Sequence, residues 1–289
     1  MKTIKIRGLK AVAFFICLFF LACQKSEHSS GGTGTSSVHI FLTDDPSLVF
    51  EHVFLDISKV EIKVEDAEDS RHESEHHDEA EDEDHHGGTS GGWMSVAINP
   101  GIYDILRFRN GLDTLFGTAS FDAAKGLHKV RVTLGSNNSV VFNGVTSPLL
   151  IHSNDNIIVI NIEESLVAVN SGGLTKFWID IDAGRSIRLH DNQFELKPNV
   201  KVFSREKSAS IEGRVLPGEA SVVVMAVNGV DTVSAKPERE GEFKFIGLKP
   251  GTYTLIYHAT ANNYVDVTVN QVVVSGTEDV HVPDQILHQ

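Results

Sequence analysis

Cysteine is scarce in this chain of 289 residues, which has only Cys17 and Cys23. Both lie near the N-terminus, so the rest of the chain can form no disulfide and offers no reactive thiol. No stretch has the periodicity of an amphipathic helix, and no apolar run is long enough to span a bilayer. Stability must therefore come from the packing of β-structure, in a chain long enough for one large or two medium domains.

Positive charge is also in short supply, with 25 Lys and Arg against 39 Asp and Glu and a formal net charge of -14. Four of the cations lie within the first ten residues. A chain this acidic is a poor match for polyanions. We therefore expect neither nucleic acid nor an anionic membrane surface as a partner.

The N-terminus resembles a bacterial lipoprotein signal. Its basic start is followed by the apolar run Ala11 to Ala22, which covers roughly 18 Å as a helix against a hydrocarbon core of about 30 Å. The resemblance implies cleavage after residue 22 and lipidation of Cys23, with residues 23–37 as a flexible tether. The alternative is an ordinary secretory signal that leaves Cys23 as a free thiol.

Residues 65–92 form an insertion of unusual composition, with twelve acids and five histidines between Glu65 and His86. It contains no aliphatic residue larger than alanine, so we expect a disordered, solvated loop between two strands. Loose capture of a divalent metal such as zinc is the alternative, and it would use the loop's imidazoles. These candidate ligands are His72, His76, His77, His85 and His86.

The same insertion holds a literal H-E-x-x-H, from His72 to His76. On a rigid helix this spacing binds zinc and places a general base beside it. A segment so rich in His and Glu produces such a match by composition alone, and no apolar helix is present to hold the ligands. We therefore reject a protease site.

Alternating apolar residues dominate the remainder of the chain. Along residues 53–64 the apolar positions change from odd to even near Ser58 and Lys59, which predicts a β-bulge. Further period-two segments are separated by turn signals such as Asn110-Gly111 and Asn143-Gly144. The sequence predicts an all-β protein with two consecutive antiparallel β-sandwich domains, at residues 38–203 and 209–287.

The first of these domains resembles the domain of unknown function 4382, found in envelope lipoproteins of Bacteroidota and their relatives. The motifs that carry the resemblance are Leu42-Thr43-Asp44, Pro100 to Asp104, Arg109-Asn110-Gly111, the strand Val130 to Val132 with its Asn137-Asn138 turn, and Leu196-Lys197-Pro198. The resemblance covers residues 37–203 and implies an envelope location and no known activity.

The second domain resembles a carboxypeptidase regulatory-like module, which is a transthyretin-type sandwich grouped with carbohydrate-binding-like folds. Phe243 and Phe245 face one side of a strand, the chain reverses between Gly247 and Gly251, and Tyr253 begins the return. The segment between Val215 and Ser221 lacks the longer loop usual in that family. Any ligand role of that edge is therefore in question.

Candidate ligand sites are few. The run Asp180 to Gly184 is similar to a calcium loop, but Arg185 stands where that loop needs glycine and the alternation of residues 177–181 favours a strand. Exposed aromatic rings on sandwich domains bind sugars by stacking. The candidate rings are Trp93, Tyr103, Trp178, Tyr257 and Tyr264.

No nucleophile motif is present, so we expect a non-enzymatic protein that needs no cofactor. The expected function is a binding or scaffold module of the cell envelope, anchored by lipid to the outer membrane. Its possible partners, besides the membrane, are a glycan or an envelope protein. The alternatives are a carbohydrate-binding accessory lipoprotein and divalent-metal capture by the His-rich loop.

Overall fold

A computed structural model describes residues 34–44, 50–66, 92–152, 156–229 and 231–289 of the protein. Residues 33–289 form one compact unit with two separate hydrophobic cores. We call the parts around these cores module A, residues 35–203, and module B, residues 209–287. In the described residues no helix is long and apolar enough to cross a membrane.

In its described residues, module A contains fourteen strands and one short helix, α1 (Ala183–Ser186), with a 3₁₀ turn at Ile105–Phe108. The strands are β1 (Thr35–Thr43), β2 (His52–Asp66), β3 (Trp93–Ser95), β4 (Ala97–Ile98), β5 (Gly101–Asp104), β6 (Thr114–Asp122), β7 (Lys125–Leu134), β8 (Ser139–Phe142), β9 (Val145–Leu150), β10 (Ile157–Asn161), β11 (Leu174–Ile181), β12 (Ile187–His190), β13 (Gln193–Leu196) and β14 (Val200–Phe203).

Two sheets enclose the core of module A. The first has five strands in the order β14-β11-β1-β6-β4. The second has nine, in the order β10-β7-β2-β8-β9-β13-β12, and β3 and β5 also pair with β2. Alternating residues of both sheets, such as Ile40, Ile62 and Phe177, are fully buried in one apolar cluster. The apolar periodicity of the sequence thus becomes the inner faces of a sandwich.

The long strand β2 confirms the predicted bulge. Its pairing with β7 shifts register between Ile57 and Lys59. Ile57 and Val60 are both fully buried, while Ser58 and Lys59 between them are exposed. One extra residue therefore keeps the apolar side chains on the core face along the whole strand.

Module B begins after residues 204–208 and also consists of two sheets. Its strands are β15 (Ala209–Leu216), β16 (Val222–Asn228), β17 (Asp231–Ala235), β18 (Glu242–Leu248), β19 (Gly251–Ala259), β20 (Val267–Val274), β21 (Asp279–His281) and β22 (Gln285–Ile286), with a 3₁₀ turn at Gly218–Ala220. One sheet has the order β18-β15-β21, with β22 also on β15, and the other has the order β17-β16-β19-β20. The predicted reversal after Phe245 carries the chain from the first sheet to the second.

The all-β prediction is confirmed, with corrections in detail. Four strand pairs are parallel rather than antiparallel: β1 with β11, β9 with β13, and β15 with both β21 and β22. The first strand begins at Thr35, because Ser36 and its neighbours pair with β6, so residues 35–37 belong to the sheet and not to the tether.

Candidate functional site

Strand β11 is buried on both faces from Phe177 to Ile181. Its inner face carries Phe177 and Ile179, which lie in the core of module A. On its outer face Trp178 is only 5% exposed. Trp178 is in register with Phe41 on β1 and Phe203 on β14, and the three nearly parallel rings stack at centroid distances of 4.7 Å and 6.1 Å. The outer face of the five-stranded sheet therefore carries a row of aromatic rings.

Polar contacts fix the central ring of this row. The Trp178 Nε1–H donates to Asp113 Oδ2 at 2.7 Å. Arg205 Nη2 donates to the same oxygen at 3.0 Å, and its guanidinium lies 5.0 Å from the centroid of the indole ring. The indole donor is thus satisfied, and a cation covers part of the ring.

The next row along the same face is polar and consists of Thr43, Asp180 and Lys201. Lys201 Nζ lies 3.1 Å from Asp180 Oδ2. Asp180 is 5% exposed, so its charge is paired rather than solvated.

Module B meets this face of module A through hydrogen bonds. Asn110 Nδ2 donates to the carbonyl oxygen of Lys236 at 2.6 Å and to Glu238 Oε1 at 3.0 Å. Arg185 Nη2 donates to the carbonyl oxygen of Thr232 at 2.7 Å. We call this contact between the modules the junction.

Two glycines allow the backbones to approach closely at the junction. Gly111, with φ of 74°, lies so near β18 that a Cβ there would be 3.1 Å from Lys244 Cδ. Gly247, with φ of 71°, lies against the ring of Phe203, and a Cβ there would be 2.7 Å from a ring carbon. A side chain at either position would strain the backbone, and at Gly247 it would also overlap the ring of Phe203.

An open groove of about 550 Å³ runs along the junction. Asn110 and Leu112 of module A form one wall, and the outer face of β15 and β18 forms the other. The ionisable lining residues are Glu212, Arg214, Glu238, Glu242, Lys244, His281 and Asp284. A groove of this size admits a small ligand or the side chains of a partner.

Lys244 is the central charge of the groove. Its Nζ lies 2.9 Å from Glu212 Oε2 and 3.8 Å from Asp279 Oδ2. The hydrogen bond from Lys244 lowers the pKa of Glu212 below its ordinary value. Glu212 therefore stays ionised when mildly acidic conditions protonate ordinary carboxyl groups.

The Asp180 to Gly184 segment forms a strand end and a helix cap. Asp182 Oδ1 accepts from the backbone N–H of Arg185 at 2.8 Å and caps α1. Burial raises the pKa of Asp182, and the bonds with Arg185 offset part of that rise. Within the described ranges no three His, Cys, Asp or Glu side chains are grouped to hold a metal ion.

Two of the candidate rings are buried in the structure. Trp178 lies under Arg205 within the aromatic row, and Tyr257 is 1% exposed in the core of module B. Burial raises the pKa of Tyr257 to about 12. Neither ring offers a free face to a sugar.

The other aromatic candidates are only half-buried and belong to different elements, β3, β5 and the connection between β19 and β20. Trp93 on β3 lies under the Arg131 guanidinium, 4.1 Å from the ring centroid. Tyr264 donates its hydroxyl to Glu219 Oε1 at 2.9 Å, and Tyr103 donates to the carbonyl oxygen of Asn99. They do not form a common platform.

Other predicted sites lie outside the described residues. They are the lipidation site Cys23 and the candidate metal ligands His72, His76, His77, His85 and His86. Sequence reasoning also missed the junction residues Asn110 and Lys244. The Asn110-Gly111 pair signalled only a turn, and nothing in its neighbourhood indicated a contact with a segment some 130 residues away.

The solved structures that show some likeness to this chain are of low similarity. A type II cohesin–X-dockerin complex from Acetivibrio cellulolyticus is 20% identical over 27% of this chain and 56% of its own, with a TM-score of 0.23. A variant of the shaft pilin SpaA from Lactobacillus rhamnosus GG is 7% identical over 87% and 97% of the two chains, with a TM-score of 0.22. The chain spans about half of the first of these structures. We take no function from similarity this low.

The sequence itself gives a firmer assignment. No curated protein matches the chain. The family model described as domain of unknown function (DUF4382) matches residues 35–198, which is nearly all of module A and more than half of the chain. The protein therefore belongs to the DUF4382 family.

Proposed function

We propose that this protein is a non-enzymatic binding or scaffold module of the cell envelope, tethered by a lipid on Cys23. The basic start, short apolar run and cysteine of the N-terminus support the tether. Two acyl chains hold a protein at a membrane essentially permanently. Modules A and B then form the part that meets a partner. On this proposal module B is of the carboxypeptidase regulatory-like type.

The observation that carries the binding role is the groove along the junction, because both modules build its walls. Its lining combines carboxylates and cations with the exposed side chain of Leu112. The aromatic ring that borders it, Phe243, is 3% exposed. Such a lining favours the polar surface of an envelope protein over a sugar stacked on a flat ring.

The tether is tested by mass spectrometry of the protein purified from its native membrane. We expect an N-terminus at Cys23 that carries acyl chains, and a Cys23→Ser variant that leaves the membrane fraction. An unprocessed Met1, or an unmodified thiol at the new N-terminus, would contradict the tether.

The binding role is tested by photo-crosslinking in the native envelope. A photoreactive residue at Leu112, which is 56% exposed at the groove, should give a discrete crosslinked product. The matched control is Val273 on β20, which is 62% exposed and does not line the groove. No product at Leu112, or the same product at both positions, would count against the groove as the binding surface.

Glycan binding is the second candidate, supported by the half-buried indole of Trp93 on a β-strand. On a glycan array, a binder should lose its signal when Trp93→Ala removes the ring. If the protein instead binds envelope proteins, neither the unaltered protein nor the Trp93→Ala variant should give a signal on the array.

A further inference from the structure

A second, much smaller cavity lies beneath the junction. Its volume is about 20 Å³, which is enough for one water molecule. Asn110, Asp180 and Lys201 line it from module A, and Val233 and Lys244 line it from module B. Both modules therefore contribute to the walls of the cavity.

Asp180 Oδ1 and Asn110 Oδ1 are two of the buried acceptors at this cavity that have no hydrogen-bond partner among the described residues. Asp180 Oδ1 is buried and unpaired, although its other carboxylate oxygen contacts Lys201. Asn110 Oδ1 is also buried and unpaired, although its amide nitrogen donates to module B. Leaving such groups unsatisfied costs about 1–3 kcal/mol each.

The chemistry of the lining identifies the species that satisfies both groups. The two unpaired atoms need two hydrogen-bond donors, and a water molecule has two. A metal cation would also attract the oxygens, but Lys201 Nζ lies 3.1 Å from the other carboxylate oxygen of Asp180 and would repel a cation bound beside it. A water can instead accept a hydrogen bond from Lys201.

We propose that this cavity binds one ordered water molecule, which donates to Asp180 Oδ1 and to Asn110 Oδ1. Asn110 then connects two partners with its single side-chain amide. Its nitrogen binds the backbone of module B, and its oxygen binds the water held by the five-stranded sheet of module A. Asn110 is thereby the positioning residue of the junction, and module B docks on a hydrated polar contact as well as on aromatic rings.

A crystal structure of the protein at about 1.5 Å resolution tests the site directly. We expect one density peak within hydrogen-bond distance of both oxygens, which refines as water. A crystal soaked in rubidium chloride should show no anomalous signal there. Absence of a peak would overturn the proposal, and so would a rubidium signal at the peak.

Oxygen-17 relaxation dispersion tests the same site in solution, because it counts water molecules with long residence times. The Asp180→Ala variant should lose one long-lived water relative to the unaltered protein. The matched control is Asp113→Ala, which removes a carboxylate from the outer side of the same aromatic row and should leave the count unchanged. An unchanged count in Asp180→Ala, in a variant that still folds by circular dichroism, would contradict the proposal.

Discussion

Glu61 shows how a charged residue is accommodated on the outer face of the nine-stranded sheet. Its side chain is almost completely buried, and its Oε2 accepts from Arg131 Nε at 2.8 Å while Oε1 lies 2.6 Å from Lys59 Nζ. Arg131 in turn covers Trp93. Burial raises the pKa of Glu61, but the hydrogen bonds from Lys59 and Arg131 outweigh it and leave the pKa below its ordinary value of 4.5.

The first prediction concerns the pH dependence that this pKa creates. Because the folded pKa is lowered, Glu61 contributes stability above pH 4.5 and loses it as the pH falls through the folded value. Glu61→Gln should lower the free energy of unfolding by about 2 kcal/mol at pH 7. Urea unfolding at pH 7 and at pH 3 should show that this difference shrinks in acid. A difference that stays the same or grows at pH 3 would disprove the assignment.

The second prediction concerns Trp178. Trp178→Ala removes the central ring of the aromatic row and should lower the free energy of unfolding by about 3–5 kcal/mol. Trp178→Phe keeps a ring but loses the donor to Asp113, so it should cost about 1 kcal/mol. Chemical unfolding of both variants checks the order. If both variants lost the same free energy of unfolding, an aromatic ring at position 178 would contribute little to stability.

At the scale of elements, the bulge in β2 leads to the third prediction. Deleting Ser58 would move the side chains of one half of the strand from the core to the solvent face, so the variant should fail to fold. Ser58→Gly keeps the chain length and should remain folded, with a loss of about 1 kcal/mol or less. Circular dichroism of both proteins is the measurement. A folded deletion variant would show that the register of β2 is not fixed by its apolar face.

The elements also show how far the sequence determines this fold. The parity change in β2 could be predicted because it depends only on which side chains of one strand are apolar. The outer face of β11 could not, since its cover comes from other segments of the chain. Trp178 is stacked between Phe41 and Phe203, and Asp180 lies at a cavity that module B also lines. For the same reason the groove could not be located, although the Asn110-Gly111 turn at its wall was predicted as a turn.

At the scale of the whole molecule, the proposed binding role of the groove requires that modules A and B be held together at the junction. The hydrogen bonds of Asn110 and Arg185, and the close approach at Gly111 and Gly247, all cross that contact. Contacts of this kind fix one relative orientation, whereas two domains joined only by residues 204–208 would move independently. A groove with walls from both modules keeps its shape only if the modules hold one relative orientation.

Double electron–electron resonance measures the distance between two spin labels and so tests whether the two modules keep one relative orientation. Cys17→Ser and Cys23→Ser remove every native thiol, and new cysteines at Leu189 in module A and Val273 in module B are both exposed enough to label. Modules docked in one orientation should give one narrow distribution of the distance between the two labels. Gly247→Val, which places a side chain against Phe203, should broaden that distribution. A broad distribution in the chain without that substitution would contradict the docked arrangement and the groove that depends on it.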